Sequence, residues 1–539
     1  MATRDALFAA VAVALGATAS FSQVPFFDSI GENAPPGTVA IEEIGEDLTL
    51  LRNAPPFPPD SIVHAGERIQ QLAANPLITG LVVTTDVMGV PFVSWIIDVP
   101  FWMQERTTAV RQATIDNDLL LLHLTDQPAN LRRIMTIKYD NVTGAQAYAW
   151  QWLGDGNFRP LGQELDGTTL VFAGAVRDDD GAFCDGLLVR YDQLTGLPLI
   201  NNRYQPFAPG LADLSFCDVD IADEDGAIYA VGRIFQTTPG GIVGDRIVIA
   251  KFDAQGNVLW INGYLALLPG EQFREGEGVS IEALPQGPVA ITARTIGEAG
   301  VQAFAMIVDP IAGAPIVSRF YGIAEQPMPA YASLDLLDQD TLLGSGFVTT
   351  PQGTPAAFMW GLDIPALSVK WFFEDTASNL SEGRDAIVQP NFGLPLTGLT
   401  DPIRPPFFGH AIDILSVRAR GDGTGPCSLP VPPPELEALV EPFVIPVEQI
   451  QLPEPVMEFV EILPLFLYEQ NICKDINDCL ADFDMDGDVD LGDFGIFGAA
   501  FGSVIGSPNY NPAADLDNDG DVDLGDFGIF GSEFGRTDC

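Results

Sequence analysis

The chain has 539 residues, and its 74 acidic side chains outnumber 25 basic ones, which gives a net charge of −49 at pH 7. Nucleic acids and anionic membrane surfaces bind clustered positive charge, which this composition lacks, so both classes of partner are excluded. The length is sufficient for several domains. No stretch beyond the N-terminal region is long and apolar enough to span a bilayer.

Residues 1–19 have the pattern of a secretory signal peptide. Arg4 precedes an apolar run from Ala6 to Leu15, and Ala17-Thr18-Ala19 forms a small-residue cleavage site. The pattern predicts a secreted or extracellular protein whose mature chain begins near Ser20 with a lead-in over residues 20–59. A buried N-terminal helix is the alternative.

Six cysteines in a chain of this length fit an oxidising compartment but are too sparse for a disulfide scaffold. Cys184 and Cys217 lie in neighbouring repeats and are candidates to pair. Near the C-terminus we expect Cys539 to pair with Cys473 or Cys479. The sequence leaves this connectivity open.

Residues 60–425 contain a repeated phrase in which a β-rich run is followed by an aspartate and then, in most copies, a glycine. Five copies carry the aspartates Asp140, Asp192, Asp253, Asp309 and Asp363, which are 52, 61, 56 and 54 residues apart. A period near fifty predicts a β-propeller with five to seven blades. Asp98 and Asp413 are candidate outlying copies. An aspartate before a turn caps backbone N–H groups, and we expect that role here rather than ligand binding.

The segment from Lys251 to Trp260 (KFDAQGNVLW) is the clearest copy of the repeat. It resembles the bacterial extracellular propeller repeat with lysine, aspartate, glycine and tryptophan at fixed spacing. Small-residue strands precede the aspartates by about fifteen residues, as at 170–174, 228–232 and 289–293. Their composition predicts that they are the crowded inner strands of the blades.

Residues 426–470 are rich in proline, glutamate and branched aliphatic side chains. Proline removes a backbone donor and fixes an extended geometry, so the composition predicts a semi-rigid acidic linker. The many aliphatic residues leave open that part of this linker packs on a neighbouring domain.

Residues 471–539 contain a tandem repeat in which the thirteen letters DGDVDLGDFGIFG at 486–498 recur at 519–531. Each copy has the spacing of an EF-hand loop, with acids at positions 1, 3, 5 and 12, glycine at position 6 and a backbone carbonyl ligand at position 7, which is Asp488 or Asp521. The copies predict two bound calcium ions. The predicted ligands are Asp482, Asp484, Asp486, Asp488 and Asp493 in the first loop and Asp515, Asp517, Asp519, Asp521 and Asp526 in the second.

A phenylalanine stripe after each loop indicates a short helix. Two such loop-helix units with aspartate at position 12 resemble a type I dockerin module. The resemblance implies docking to a cohesin-type protein or cell-surface scaffold through loop positions 10 and 11, which are Leu491, Gly492, Leu524 and Gly525 here. Well-studied dockerins often carry hydroxyl residues there. The alternatives are an acidic disordered tail, a thrombospondin-type calcium array and a calcium-stapled structural cap.

The sequence has no recognisable catalytic motif. His64, His123 and His410 lack metal-pair spacing, and there is no nucleophile elbow, Walker loop or dinucleotide fingerprint. We therefore predict a mostly β, secreted protein in which a dockerin-like module attaches a non-catalytic propeller. The alternative is a polysaccharide hydrolase or lyase delivered by its dockerin, since paired carboxylates are set by spatial separation.

Overall fold

The chain separates into two compact units, Met1–Ile472 and Cys473–Cys539. The structure is a computed structural model. It describes residues 26–31, 41–51, 57, 61–70, 77–86, 90–99, 104–127, 131–152, 162–177, 184–237, 243–285, 287–297, 300–322, 333–349, 354–375, 380–388, 394–401, 413–419, 433–465, 467–471, 481, 489, 491–504, 507, 511, 514 and 521–535. The predicted signal peptide and the cysteines of the C-terminal unit lie outside these ranges.

The first unit is a seven-bladed β-propeller, which confirms the predicted fold class. Its strands begin with β1 (Phe26–Gly31). Blade 1 has β2 (Ile41–Leu51), β3 (Ser61–Gln70), β4 (Leu77–Thr85) and β5 (Pro91–Asp98). Blade 2 has β6 (Gln104–Gln112), β7 (Leu119–Gln127), β8 (Leu131–Tyr139) and β9 (Gln146–Trp152). Blade 3 has β10 (Gln163–Asp166), β11 (Thr169–Arg177), β12 (Cys184–Asp192) and β13 (Pro198–Pro206).

Blades 4 to 6 repeat the same four-stranded antiparallel meander. Blade 4 has β14 (Leu211–Ile221), β15 (Ile228–Thr237), β16 (Val243–Phe252) and β17 (Val258–Leu267). Blade 5 has β18 (Arg274–Ala283), β19 (Val289–Gly297), β20 (Gly300–Val308) and β21 (Pro315–Tyr321). Blade 6 has β22 (Leu334–Asp338), β23 (Thr341–Thr349), β24 (Pro355–Asp363) and β25 (Val369–Glu374).

Blade 7 combines the two ends of the repeat array. Its first three strands are β26 (Leu380–Ala386), β27 (Leu394–Asp401) and β28 (Asp413–Ala419). Its fourth strand is β1 from the N-terminal side, which pairs antiparallel with β28. Hydrogen bonding between the first and last strands of the array therefore closes the ring.

The small-residue strands are the second strands of their blades, β11, β15 and β19, and the prediction that they are innermost was wrong. They are buried almost throughout, in the clusters that fill the space between blades. A strand covered on both faces needs a continuous run of small and branched apolar residues. The innermost strands, such as β14 and β18, instead carry polar residues because they line a central cavity.

The predicted linker is not a free tether, because most of its residues add outer strands to the propeller. These strands are β29 (Glu435–Glu437), β30 (Leu439–Val444), β31 (Val447–Gln451), β32 (Val456–Met457), β33 (Glu461–Leu465) and β34 (Tyr468–Asn471). They pair in turn with blades 5, 4, 3, 2, 1 and 7. We call residues 433–471 the strap. Prolines are tolerated in it because an edge strand has one side free of ladder hydrogen bonds.

Two short helices, α1 (Leu491–Ala500) and α2 (Leu524–Glu533), form the described core of the second unit. Phe497 and Phe530 stack at 5.2 Å between ring centroids. The contacts around this pair repeat thirty-three residues apart, since the Phe494–Phe530 pair at 5.8 Å matches the Phe497–Phe527 pair at 6.0 Å. The two sequence copies thus build two halves related by an approximate twofold axis.

Candidate functional site

The repeated aspartates are turn residues, as predicted for blades 2 to 5. Each lies at the end of the third strand of its blade or directly after it, and its carboxylate accepts hydrogen bonds from backbone N–H groups of the turn. Asp309 Oδ1 accepts from Ile311 and Ala312, and its Oδ2 accepts from Ala314. Gly313 ends this turn with φ 68, a left-handed conformation that favours glycine.

The blade 1 copy of this turn is Asp86, which the sequence analysis missed. Its Oδ1 accepts a hydrogen bond from Val90 N at 2.9 Å between β4 and β5. The spacing of 54 residues to Asp140 is the signal that could have found it. The candidate outlying copies do not lie at the end of a third strand, because Asp98 ends the fourth strand β5 and Asp413 begins β28.

Aromatic side chains of the outer strands tie the turns of blades 2 to 6 to the preceding blade. Tyr264 on β17 donates a hydrogen bond to the carbonyl of Gly313 in the blade 5 turn at 2.7 Å. Equivalent hydrogen bonds join Trp95 to Asn141, Tyr148 to Gln193, Tyr204 to Gly256 and Tyr321 to Leu367. We call these five hydrogen bonds the blade latches, and they span the joints from blade 1 to blade 6.

The lysine and tryptophan of the clearest repeat also reach the next blade. Lys251 Nζ donates to the Pro310 carbonyl at 3.2 Å, and Trp260 Nε1 donates to the same oxygen at 3.3 Å. Lys251 also lies over the Tyr229 ring at 5.0 Å. The motif therefore positions adjacent blades.

The innermost strands surround a central cavity of about 630 Å³. Its charged lining consists of Glu46, Asp47, Arg111, Glu164, Asp218, Asp220, Glu282, Asp335, Arg384 and Asp385. The sequence analysis did not single out this cluster of titratable groups. Because the innermost strands are far apart in sequence, only the folded ring brings these carboxylates together.

Many of these cavity carboxylates bind the backbone of the next blade. Asp47 Oδ2 accepts from Val110 N at 2.6 Å, and Asp218 Oδ2 accepts from Ile281 N at 2.9 Å. Further hydrogen bonds of this kind run from Ala283 N to Asp220, from Val388 N to Asp335 and from Leu48 N to Asp385. The carboxylates thus act as staples between innermost strands.

Burial in the cavity raises the pKa of Asp218, Asp220 and Glu282. Burial raises the pKa of Asp218 to about 6, although hydrogen bonds from Ser280 and Ile281 oppose the shift. Burial also raises the pKa of Asp220, and the neighbouring charge of Glu164 adds to this shift. The pKa of Glu282 is raised well above its ordinary value by burial and by the charges of Asp220 and Asp335.

Most of the predicted calcium ligands lie outside the described residues. These are Asp482, Asp484, Asp486, Asp488, Asp515, Asp517 and Asp519. Asp493, Asp521 and Asp526 are described, and Asp493 and Asp526 are fully buried at equivalent places in α1 and α2. The structure brings Asp521 and Asp526 together with Asp523, which was not among the predicted ligands. One carboxylate oxygen from each of the three lies within 4.8 Å of the others.

A capping box orders this cluster. Gly525 N donates to Asp523 Oδ1 at 2.6 Å, and Asp523 N donates to Asp526 Oδ2 at 2.7 Å. The box starts α2. A set of converging carboxylate oxygens has the donor chemistry that hard cations prefer, so these residues fit a calcium ion.

The helices of the second unit expose an apolar face. Leu491 and Leu524 are each 74% exposed, and Phe494 and Phe527 are each 44% exposed. A Cβ atom built on Gly495, Gly498, Gly528 or Gly531 would meet no atom within 4 Å. The two copies therefore present matching apolar surfaces around Leu491 and Leu524.

The structure also bears on the expected cysteine pairing and on membrane-spanning segments. The candidate disulfide between Cys184 and Cys217 is not formed. Cys217 Sγ instead donates to the Gly278 carbonyl at 2.8 Å. Among the described residues, no helix has the length and apolarity needed to cross a membrane.

Comparisons with known proteins find no matching family and no matching curated protein. Among solved structures, the polysaccharide lyase Uly1 aligns at 9% identity over 58% of this chain and 89% of its own, with a TM-score of 0.33. Drosophila Semaphorin 1b, extracellular domains 1-2, aligns at 8% identity over 76% and 88%, with a TM-score of 0.31.

Drosophila Plexin A in complex with Semaphorin 1b aligns at 8% identity over 70% of this chain and 88% of its own, with a TM-score of 0.34. Likeness at these values carries no argument about activity. The propeller assignment rests on the strand topology of this chain.

Proposed function

We propose that this protein is a secreted, calcium-dependent attachment protein whose C-terminal module docks a non-catalytic propeller onto a cohesin-type scaffold or cell surface. The observation that carries the proposal is the matched pair of apolar helix faces around Leu491 and Leu524. An exposed apolar face flanked by polar residues is a common property of protein interaction sites.

Calcium is the cofactor proposed for the module. The carboxylates of Asp521, Asp523 and Asp526 supply oxygen ligands, and the first turn of α2 is held by the same groups. A cation at this place would offset the mutual repulsion of the acids, so calcium binding and helix formation would be coupled.

The cavity lining supports a non-catalytic propeller. A hydrolase or lyase needs carboxylates that are free to act on substrate, whereas Asp47, Asp218 and Asp220 accept hydrogen bonds from neighbouring strands. Small-molecule sites usually include aromatic side chains, and none lines the described cavity. The polysaccharide-degrading alternative therefore has less support, and the propeller is proposed to act as a recognition surface for protein or polysaccharide.

The test uses the full chain in two steps. Isothermal titration with calcium chloride should give two bound ions, and circular dichroism should show added helix on binding. Pull-down against a panel of purified cohesin-type domains should then capture a partner with calcium but not with chelator.

A pair of surface variants separates docking from calcium binding. Leu491→Asp and Leu524→Asp together should abolish capture while calcium still binds, because both leucines are exposed. Ile311→Asp, on an exposed propeller turn, is the matched control and should leave capture unchanged. Capture that survives the double leucine variant contradicts the proposed docking face, and absence of calcium binding contradicts the module assignment.

A further inference from the structure

We propose that the strap is a second closure of the propeller ring, and that its last part, residues 461–471, holds blade 7 to blade 1. This inference concerns the propeller alone and does not depend on the proposed attachment function.

The strap advances by one blade every seven or eight residues and inserts an apolar anchor into each joint that it crosses. Ile445 packs with residues of blades 3 and 4, and Val460 packs with residues of blades 1 and 2. Both are 2% exposed. Ala438 and Leu452 pack at the joints between blades 4 and 5 and between blades 2 and 3.

Polar side chains of the blades fix the register of the strap. Gln146 accepts from Val460 N at 3.1 Å and donates to the Glu458 carbonyl at 3.4 Å. On blade 3, Asn201 Nδ2 donates to the Pro453 carbonyl at 2.7 Å while its own carbonyl accepts from Leu452 N. These paired hydrogen bonds make the strap a specific part of the fold.

The last anchor lies at the joint where the ring closes. Leu467 packs against Leu81 and Val83 of blade 1 and against Ile414 of blade 7. On one side of Leu467, β33 pairs with β5 of blade 1. On the other side, β34 pairs with β1, the fourth strand of blade 7.

The joint between blades 7 and 1 is where the two ends of the repeat array meet. The five blade latches span the joints from blade 1 to blade 6, so both joints of blade 7 lie beyond the part of the ring that these hydrogen bonds cover. Strand β1 pairs with β28 on one edge and with β34 on the other. Removing β34 would turn β1 into an exposed edge strand.

The test is native-state hydrogen exchange on the full chain carrying Leu467→Ser, with Ile445→Ser as the matched control at an inner joint. We expect amides of β1 to exchange at least tenfold faster in L467S, while β15 and β16 keep their protection. I445S should accelerate exchange in β30 and β31 without the same effect on β1. Unchanged exchange of β1 in L467S overturns the proposal.

A disulfide cross-link gives a second test that does not depend on whether L467S folds correctly. Ser29 and Gln470 are register partners in β1 and β34, and Asn262 and Val444 are register partners in β17 and β30. Oxidising the S29C/Q470C double variant should slow exchange of β1 at least tenfold relative to its reduced form. The N262C/V444C control should leave β1 unaffected. Equal exchange of β1 in oxidised and reduced S29C/Q470C also overturns the proposal.

Discussion

The hydroxyl of Tyr264 on blade 4 donates a hydrogen bond to the carbonyl of Gly313 on blade 5, at 2.7 Å. Gly313 ends the turn that Asp309 caps, so the aspartate of one blade presents a carbonyl to the aromatic residue of the blade before it. This relationship explains why aspartate turns and aromatic outer strands recur together in the sequence.

Removing the hydroxyl tests this latch. Tyr264→Phe should destabilise the propeller by about 1–3 kcal/mol, because the buried Gly313 carbonyl loses its partner. Equilibrium denaturation followed by fluorescence measures the change. Tyr139→Phe is the control, since the Tyr139 hydroxyl is buried without a hydrogen bond among the described residues and its loss should be neutral or stabilising. Equal destabilisation by both variants would contradict the latch.

The capping role of the turn aspartates predicts a second effect. Asp309→Ala removes an acceptor for three backbone N–H groups and should cost about 1 kcal/mol of unfolding free energy. Those hydrogen bonds lower the pKa of Asp309, led by the bond from Ala312. The stabilisation is therefore present at neutral pH and is lost as the pH falls through this lowered pKa. Ile311→Ala, at an 86% exposed position of the same turn, should change stability little.

The cavity carboxyls predict the opposite pH dependence. Asp218 has its pKa raised from 3.8 to about 6, so the folded state binds a proton that the unfolded state releases between these values. Stability should therefore fall as the pH rises from 4 to 6, by about 2 kcal/mol for this group, since one pKa unit corresponds to about 1.4 kcal/mol. Thermal unfolding across this range measures the slope.

Asp218→Asn tests how much of this pH dependence of stability comes from the Asp218 carboxyl group. The amide oxygen can still accept from Ile281 N, but it carries no charge, so the slope between pH 4 and 6 should become shallower. An unchanged slope would mean that other groups dominate the titration.

The two halves of the C-terminal module should bind calcium separately. Asp493→Asn and Asp526→Asn alter equivalent buried carboxylates, and each should reduce the calorimetric stoichiometry from two ions to one. Leu524→Ala, at an exposed position beside the same loop, should keep both ions. A stoichiometry of two in either aspartate variant would contradict the predicted ligand role.

The propeller could be predicted because its turn aspartates leave a period near fifty residues. The sequence leaves the blade count between five and seven because blade 7 is split, with β1 contributed by the N-terminal side, and the Asp86 turn lies in a weak copy of the motif. The strand order identifies Asp86 as a turn residue, because it places the hydrogen bond from Val90 N to Asp86 between β4 and β5.

The central cavity and the strap could not be predicted from sequence. Asp47, Asp218 and Asp385 come from different blades, and nothing in their local sequences indicates that they face one cavity. In the strap, prolines and glutamates gave the composition of a linker, whereas widely spaced anchors such as Ile445 and Val460 decide where it packs. Such anchors are too few in any short window to produce a periodic signal.

The path of the strap also has a consequence for how the protein forms. Its strands dock on blades 5, 4, 3, 2, 1 and finally 7, in the reverse of the order in which most of those blades leave the ribosome. Ser29 pairs with Gln470 in the last of these strands, and the two residues are separated in sequence by almost the full length of the first unit. Contacts so distant in sequence form late and slowly. We therefore expect β34 to pair with β1 late in folding, after the blades themselves have formed, so that a docked β34 marks a finished ring.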